Sequence, residues 1–339
     1  MQILAAIKRD VLPKLNIRKT FGLINSEMEL VEAEFARQVR SNVQVVDSLG
    51  EYVRSSGGKR VRPALLILAN YASGGDASAS GVIRLATVME MLHTATLVHD
   101  DIIDNAETRR SKASVNVRFG NQAAVLIGDW LYMSAFETAL KERSLEILEI
   151  LTHLTRKMTE GELVQLTMIG NTDITEDEYF DILRRKTAYL FSGCCEIGGI
   201  QAGATPEQQA ALREYGMNLG IAFQLADDLL DLTADEKALG KAAGADLLEG
   251  KFTLPLILLC KKHPELKVEL QQIISDRSYK NGSRAKIREM LEANGTAQTI
   301  HSIALGFADR ARKNLEVLPK TKYSSALEEI PNFVIERNN

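Results

Sequence analysis

Two short acidic runs contain the side chains best suited to chemistry. They read LVHDDIID at residues 97–104 and FQLADDLLD at residues 223–231, and both contain the pattern DDxxD. At 100° per residue, the first and last aspartates of such a run share one face of a helix, and the middle aspartate flanks them. Each run therefore presents three carboxylates on one sector of a helix whose other sectors are apolar.

Three like charges within one helical turn repel each other, and burying them without a cation is strongly unfavourable. Hard oxygen ligands suit Mg²⁺, which binds through one or two carboxylates plus substrate phosphates and keeps several waters. A solvated acidic patch is the alternative for either run alone, but two identical runs among Leu, Ile and Val favour a metal site. The candidate magnesium ligands are Asp100, Asp101, Asp104, Asp227, Asp228 and Asp231.

Basic residues follow the same parts of the chain and indicate a diphosphate site. The stretch GGKRVRP at 57–63 is a flexible turn with three cations that leads into a helix, and such junctions suit phosphate oxygens. In isolation, a solvated basic turn explains this stretch equally well. Arginines just past the end of a helix are also explained by their favourable interaction with the helix dipole. As a set, these cations predict two anionic ligands, one held mainly through metal and one mainly by side chains. The further cations of the set are Arg109, Arg110, Lys186, Lys241 and Lys251.

The elements that carry these residues read as helices. Apolar residues recur at intervals of three and four, and strand signals are almost absent. Thr205 and Thr175 each begin a capping box, and the second opens the helix predicted to contain Lys186. Gly216 and Gly220 share a 120° sector with the second acidic run, either as a wall beside a substrate or as a contact with a neighbouring helix. We expect one all-α domain over residues 1–339, and the order of residues 1–24 stays open.

Composition narrows the class of protein. The 339 residues are 45% hydrophobic and 25% charged, and a net charge of −4 gives no global basic face for nucleic acid. Cys194, Cys195 and Cys260 lack zinc-site spacing and predict reduced thiols in a cytoplasmic protein. The apolar N-terminal stretch is too short for a signal peptide, and no other segment reaches about 18 uncharged apolar residues. Any membrane contact is therefore expected to be peripheral.

Seven ordered motifs give the sequence a close resemblance to the trans-isoprenyl diphosphate synthases, and within them to the bacterial octaprenyl diphosphate synthases. The resemblance runs from about residue 25 to residue 325. The motifs are GGKRVRP at 57–63, LHTATLVHDDIIDNAETRR at 92–110, GNQAAVLIGDWL at 120–131, EGELVQL at 160–166, KTAYLF at 186–191, GIAFQLADDLLD at 220–231 and GKAAGADLLEGKFTLP at 240–255. The resemblance implies an all-α isoprenoid synthase-type bundle around a deep central cavity, usually homodimeric.

The same resemblance implies roles for individual residues. Asp100, Asp104 and Asp227, with the other three aspartates as further candidates, would hold Mg²⁺ on an allylic diphosphate. Lys186, Lys251 and Arg109 would contact that diphosphate, and Lys241 is a further candidate. Isopentenyl diphosphate would be held by Lys59, Arg62, His93 and Arg110. Gln224 and Thr187 would line the reacting centre.

This chemistry begins with cleavage of the allylic C–O bond, and the double bond of isopentenyl diphosphate then attacks the allylic cation. The departing diphosphate can take the released proton, so we invoke no side-chain base. Product length is expected to depend on a tunnel below the first run, lined by Ala95, Thr96, Leu92 and Met89. Ala95→Phe is predicted to shorten the product, although simple helix packing also explains Ala95. From the resemblance we expect farnesyl diphosphate as primer and an octaprenyl product for a quinone side chain.

Other functions remain open at this stage. A shorter or longer product would keep the same reaction. A terpene cyclase or head-to-head synthase would need no separate isopentenyl site, and a silent regulatory subunit would be expected to have lost one acidic run. A helical scaffold protein is the non-enzymatic alternative.

Overall fold

The computed structural model describes residues 20–110, 112–233, 244–279 and 283–336, and the structural statements below concern these residues. The first part of the chain is helical up to the end of the first acidic run. Its helices are α1 (Asn25–Gln38), α2 (Gln44–Ser55), α3 (Val61–Ala72) and α4 (Ser80–Ile103). A two-residue antiparallel hairpin follows, β1 (Thr108–Arg109) with β2 (Lys112–Ala113).

The middle of the chain contains seven described helical elements, and the last of them is the longest helix that the structure describes. They are α5 (Val115–Phe119), α6 (Asn121–Leu140), α7 (Leu145–Met168), α8 (Glu176–Leu183), a π-helical turn (Arg184–Ala188), α9 (Tyr189–Gln201) and α10 (Pro206–Thr233). The remaining elements are α11 (Ala245–Leu248), α12 (Leu254–Lys262), α13 (Leu266–Asp276), α14 (Ser283–Ala293), α15 (Thr296–Asn314), a 3₁₀ turn (Leu315–Val317) and α16 (Lys322–Glu336). The predicted all-α class is confirmed, since the hairpin is the sole sheet in the described ranges.

Both capping boxes predicted from sequence are present. At the start of α8, the Thr175 side chain accepts the Glu178 N–H at 3.3 Å, and the Glu178 carboxylate accepts the Thr175 N–H at 2.8 Å. Thr205 and Gln208 make the equivalent pair at the start of α10. These reciprocal bonds satisfy N–H groups that the first turn of a helix leaves without partners.

Two clusters of buried apolar side chains form the interior. The first joins α1, α3, α4, α6, α7 and α9, and the second joins α8, α12, α13, α14 and α15. Helix α10 contributes to both clusters and packs closely along α9 and α15, so it runs between them. The second acidic run therefore lies where the two clusters meet.

The glycines of α10 serve helix packing. A Cβ at Gly216 would lie 2.5 Å from the Phe191 carbonyl oxygen, and one at Gly220 would lie 2.7 Å from the Ala188 Cα. Backbone atoms cannot move aside as a flexible side chain can, so the close approach of α10 to α9 depends on these two glycines. Of the two explanations that the sequence left open, the structure supports contact with a neighbouring helix.

Helix α4 is long and apolar enough, by length and composition, to cross a membrane, and it is the one such helix in the described part of the chain. Its apolar window is 67% buried inside the protein, as expected for the core helix of a globular fold. The sequence analysis did not identify this window, because charged residues interrupt the apolar residues of α4.

Candidate active site

A cavity of about 570 Å³ lies between the two apolar clusters. Leu190 and Phe191 of the first cluster and Ile182 and Leu183 of the second form parts of its wall. Most residues that the sequence singled out line this one cavity. They are Lys59, Arg62, His93, Thr96, Asp100, Arg109, Arg110, Lys186, Thr187, Gln224, Asp227, Asp228 and Lys251.

Other candidate residues do not belong to the lining of the cavity. The aspartates Asp101, Asp104 and Asp231 are not part of the lining, and neither are Ala95, Leu92 and Met89, which are fully buried in the first apolar cluster. Their predicted roles in metal binding and product length stay predictions. Lys241 lies outside the described residues.

The three aspartates of the first run have different surroundings. Asp100 faces the cavity, and burial, opposed by the nearby Lys186 ammonium, raises its pKa to about 6. Asp101 is buried and accepts hydrogen bonds from the guanidinium of Arg109, one of them 2.9 Å from Nε. Asp104 ends α4 and accepts a hydrogen bond from Lys251 Nζ at 2.9 Å. Asp101 therefore holds an arginine in place, while Asp100 and Asp104 stand at or beside the cavity.

The second run is divided in the same way. Asp227 faces the cavity. Asp228 accepts the Tyr179 hydroxyl at 2.6 Å on one oxygen and the Gln224 amide at 2.8 Å on the other, and burial followed by the Asp246 charge raises its pKa to about 7. Asp231 is buried, and its Oδ2 accepts the backbone N–H of Asp246 at 3.3 Å.

Lys186 and Thr187 lie on the π-helical turn between α8 and α9. The sequence placed Lys186 on the helix that begins after Thr175, but that α-helix ends at Leu183 and the wider turn follows. Such turns are rare and occur frequently at functional sites. Here the turn places the Thr187 hydroxyl 2.9 Å from the Gln224 amide oxygen, to which it donates a hydrogen bond.

Three cations line the side of the cavity near the first acidic run. Lys251 Nζ lies 2.9 Å from Asp104 and 2.7 Å from Glu249, and these carboxylates raise its pKa although burial alone would lower it. Lys186 Nζ lies 2.5 Å from Glu162 on α7. With Arg109 bound to Asp101, each cation is held by a carboxylate and remains on the cavity wall.

A second group of cations also lines the cavity. It consists of Lys59, Arg62 and Arg110, and the last two are close enough to His93 for their charges to act on it. The guanidinium of Arg62 lies 5.0 Å from the centre of the Phe191 ring, and burial lowers its pKa. Burial, followed by the charges of Arg62 and Arg110, lowers the pKa of His93 well below its usual value, which favours the neutral imidazole.

Arg60, the remaining cation of the GGKRVRP stretch, has a structural role. Its guanidinium donates to Glu32 at 2.5 Å and to Glu90 at 2.7 Å, and it stacks on Phe35. These bonds join α1, α3 and α4 at one edge of the cavity. A Cβ at Gly58 would lie 2.8 Å from the Arg110 guanidinium, so a larger residue there would require this flexible side chain to move.

Several polar residues of the wall were missed by the sequence reasoning. They are Glu90, Gln165, Tyr179 and Asp246, with Glu162 directly behind Lys186. Glu162 and Gln165 belong to the EGELVQL motif, which the resemblance matched without assigning a residue. No spacing rule could have found Tyr179, because its partner Asp228 lies 49 residues away.

The donor atoms of the cavity fit a divalent cation. Carboxylate oxygens are the ligands that Mg²⁺ and Ca²⁺ prefer, and Asp100 and Asp227 both stand on the wall. Across the described ranges, no group of three or more His, Cys, Asp or Glu side chains is arranged to hold a metal ion by itself. That arrangement suits a metal bound through one or two carboxylates and completed by phosphate oxygens.

Comparisons with known proteins cover most of the chain. The family model for polyprenyl synthetase matches residues 43–293. An octaprenyl diphosphate synthase of Escherichia coli is 39% identical over 326 residues, which are 96% of this chain and 100% of that protein.

Solved structures give the same result. A polyprenyl synthase of Caulobacter crescentus, complexed with calcium and isoprenyl diphosphate, has a TM-score of 0.89 at 34% identity and covers 95% of this chain and 98% of its own. A decaprenyl diphosphate synthase of Rhodobacter capsulatus has a TM-score of 0.88 at 32% identity, with 95% and 99% covered.

Proposed function

The chain belongs to the polyprenyl synthetase family, and from that premise we propose that it is a trans-polyprenyl diphosphate synthase. It joins isopentenyl diphosphate head to tail onto an allylic diphosphate, with farnesyl diphosphate as primer and an octaprenyl diphosphate as product. The observation that carries the proposal is the pairing of two cation groups on one cavity, one beside the acidic runs and one around His93. Two anionic substrates of this kind require two such groups.

A divalent metal is expected for this family, and we propose Mg²⁺, held by Asp100, Asp104 and Asp227. When bound, the metal supplies positive charge that stabilises a leaving diphosphate. Arg109 binds Oδ1 of Asp101, and Tyr179 and Gln224 bind the two oxygens of Asp228, so we assign these aspartates to positioning.

Side chains of the wall bind the allylic diphosphate and prepare it for ionisation. Lys186, Lys251 and Arg109 place three positive charges where negative charge develops as the C–O bond breaks. Each is fixed in advance by a carboxylate, so little reorganisation accompanies the reaction. Thr187 and Gln224, bonded to each other, lie beside the reacting carbon.

The second cation group binds isopentenyl diphosphate. Lys59, Arg62 and Arg110 pair with its phosphate oxygens, and the neutral His93 adds a hydrogen bond. Apolar walls such as Phe223 and Phe191 exclude water, which would otherwise capture the allylic cation. The departing diphosphate takes the proton released after attack. We expect a His93→Gln variant to form product at a measurable rate, because no side-chain base is required. If this variant still ionised the allylic diphosphate but no longer released the proton, the result would contradict this step.

A product assay tests the proposal. The purified chain is incubated with labelled isopentenyl diphosphate, farnesyl diphosphate and Mg²⁺, and products are separated by length after dephosphorylation. We expect one long product, its loss with EDTA, and loss in Asp100→Asn and Asp227→Asn variants. If no labelled isopentenyl unit were incorporated and farnesyl diphosphate alone gave a cyclic hydrocarbon, the result would favour a terpene cyclase instead.

We also propose a homodimer formed through α6. Its outer face exposes apolar side chains that are 42% to 67% accessible, and these are Val125, Leu126, Met133 and Leu140. Such a stripe is larger than isolated surface apolar residues explain, and a second copy of the chain would cover it. Light scattering should give twice the chain mass of 37.5 kDa, and a Leu126→Glu, Met133→Glu variant should give a monomer.

Location and pathway complete the proposal. We propose a cytoplasmic enzyme whose product supplies a quinone side chain. The three cysteines Cys194, Cys195 and Cys260 are buried and free, which agrees with a reducing compartment. Burial raises the pKa of all three thiols, so they are unreactive.

A further inference from the structure

The β1–β2 hairpin carries two cavity arginines, Arg109 and Arg110, which differ in how they are held. Thr108 pairs with Ala113 and Arg109 pairs with Lys112, so each strand contributes only two residues. A hairpin of this size has marginal stability alone. Its position must therefore be determined by contacts with the rest of the protein.

Arg109 is fixed directly, because its guanidinium binds the buried Asp101 on α4. Within the described part of the chain, no carboxylate lies at ion-pair distance from Arg110. Arg110 instead has a left-handed backbone with φ of 52°, and its guanidinium lies against Gly58. The placement of Arg110 therefore depends on its backbone.

Two side chains, those of Tyr52 and Lys112, tie the second strand of the hairpin to α2 through three hydrogen bonds. The Tyr52 hydroxyl donates to the Ala113 carbonyl at 2.7 Å. Lys112 Nζ donates to the Ser55 carbonyl at 2.6 Å and to the Ser55 hydroxyl at 3.2 Å. The Ser55 carbonyl belongs to the last turn of α2, where carbonyl groups lack helical partners and a lysine is favourable.

These bonds end only a few residues before the turn that carries Lys59. Ser55 is the last residue of α2, and Gly57, Gly58 and Lys59 follow it. The same three bonds therefore connect the hairpin that carries Arg110 to the loop that carries Lys59. These two cations belong to one subsite but are 51 positions apart in the sequence.

Tyr52 is itself held in a defined orientation. Its ring contacts two residues of α5. It meets the Phe119 ring edge to face, with 5.2 Å between the ring centres, and the Arg118 guanidinium lies 4.4 Å from the centre of the Tyr52 ring. Edge-to-face and cation–π contacts of this kind restrict the ring. The hydroxyl is therefore directed at Ala113.

We propose that Tyr52 and Lys112 are positioning residues for the isopentenyl diphosphate subsite. They hold Arg110 in register with Lys59, while Arg109 keeps its own anchor on Asp101. The inference rests on the proposed function, and it assigns these two residues to one substrate and not to the other.

The test is a Tyr52→Phe, Lys112→Met double variant of the full chain. Tyr52→Phe retains the ring contacts and removes only the hydroxyl. We expect KM for isopentenyl diphosphate to rise about five- to tenfold, in line with the loss of these three modest hydrogen bonds. KM for farnesyl diphosphate and kcat should stay within about twofold of the wild type. A Tyr52→Phe, Lys112→Arg variant should recover part of the loss.

Matched controls remove similar bonds away from the cavity. Tyr71→Phe loses a 2.7 Å bond to Glu27, and Lys320→Met loses a 3.0 Å bond to Glu328. Both should leave both KM values unchanged, and unfolding midpoints are recorded for all variants. Unchanged KM values in the double variant, or equal rises for both substrates, would overturn the inference. An inactive wild type would instead refute the proposed function.

Discussion

Substitution of Thr96 by phenylalanine should shorten the product. Thr96 lies on α4 one turn before Asp100, on the cavity wall, and its hydroxyl donates to the His93 carbonyl at 2.7 Å. Ala95, its neighbour, is completely buried among apolar side chains. A phenyl ring at position 96 would therefore enter the cavity, whereas one at position 95 would enter the packed core.

The size of the effect follows from burial. The cavity of about 570 Å³ must hold the head of the growing chain. Each isoprene unit has five carbons, so burying one gains about 4 kcal/mol at about 0.8 kcal/mol per carbon. Forcing a unit past the ring loses that gain and adds about 1–3 kcal/mol of overpacking. The sum of about 5–7 kcal/mol opposes elongation by a factor above about 10³ at about 1.4 kcal/mol per tenfold change in rate.

Chromatography of dephosphorylated products measures the outcome. Thr96→Phe should give a product shorter than the wild type by at least one isoprene unit, with its unfolding midpoint nearly unchanged. Ala95→Phe would place its ring in the filled core, so the structure predicts a clear loss of stability. The sequence-based prediction that this variant shortens the product is tested in the same assay. Thr96→Val, which replaces the hydroxyl with a methyl group of similar size, is the control and should leave the length unchanged. An unaltered length distribution from Thr96→Phe would refute the reasoning.

Three further outcomes are expected. Lys251→Met should lower kcat about 10²- to 10³-fold in steady-state assays, because a fixed cation is lost where negative charge develops. Lys251→Arg keeps the charge and should lower kcat less. Equal losses of kcat in the two variants would contradict a charge role. Tyr179→Phe removes one of two bonds to Asp228 and should lower kcat about tenfold with both KM values unchanged, while a rise in KM alone would argue against positioning. Gly220→Ala should reduce the free energy of unfolding, measured by denaturant titration, by about 1–3 kcal/mol through overpacking. The control is Gly306→Ala, where a Cβ would lie 3.8 Å from the flexible Arg310 side chain, and it should be neutral or slightly stabilising.

Local sequence patterns were sufficient for the helices and for the residue types of the site. The capping boxes at Thr175 and Thr205 act within four residues, so the structure confirms them where the sequence placed them. Helical periodicity likewise predicted that each acidic run presents carboxylates on one sector. Both are short-range properties, determined by the geometry of a single helix.

Side-chain assignments within the runs required long-range contacts. Periodicity treats the aspartates of a run as nearly equivalent, but Asp101 binds Arg109 and Asp228 binds Tyr179, whereas Asp100 and Asp227 face the cavity. Each distinction depends on which neighbouring element packs against which side of the helix. The π-helical turn at residues 184–188 is a similar case, since the local sequence favours an uninterrupted helix.

The sequence by itself therefore determined the all-α class, the two acidic runs and the cations available to the site. Only the tertiary structure decided which of them meet. Lys251 and Asp104 lie 147 residues apart and form an ion pair, and Gly216 serves packing against α9. The physical reason is that a helix specifies its own faces through local bonds, while the partner of each face is selected by burial and packing across the whole chain.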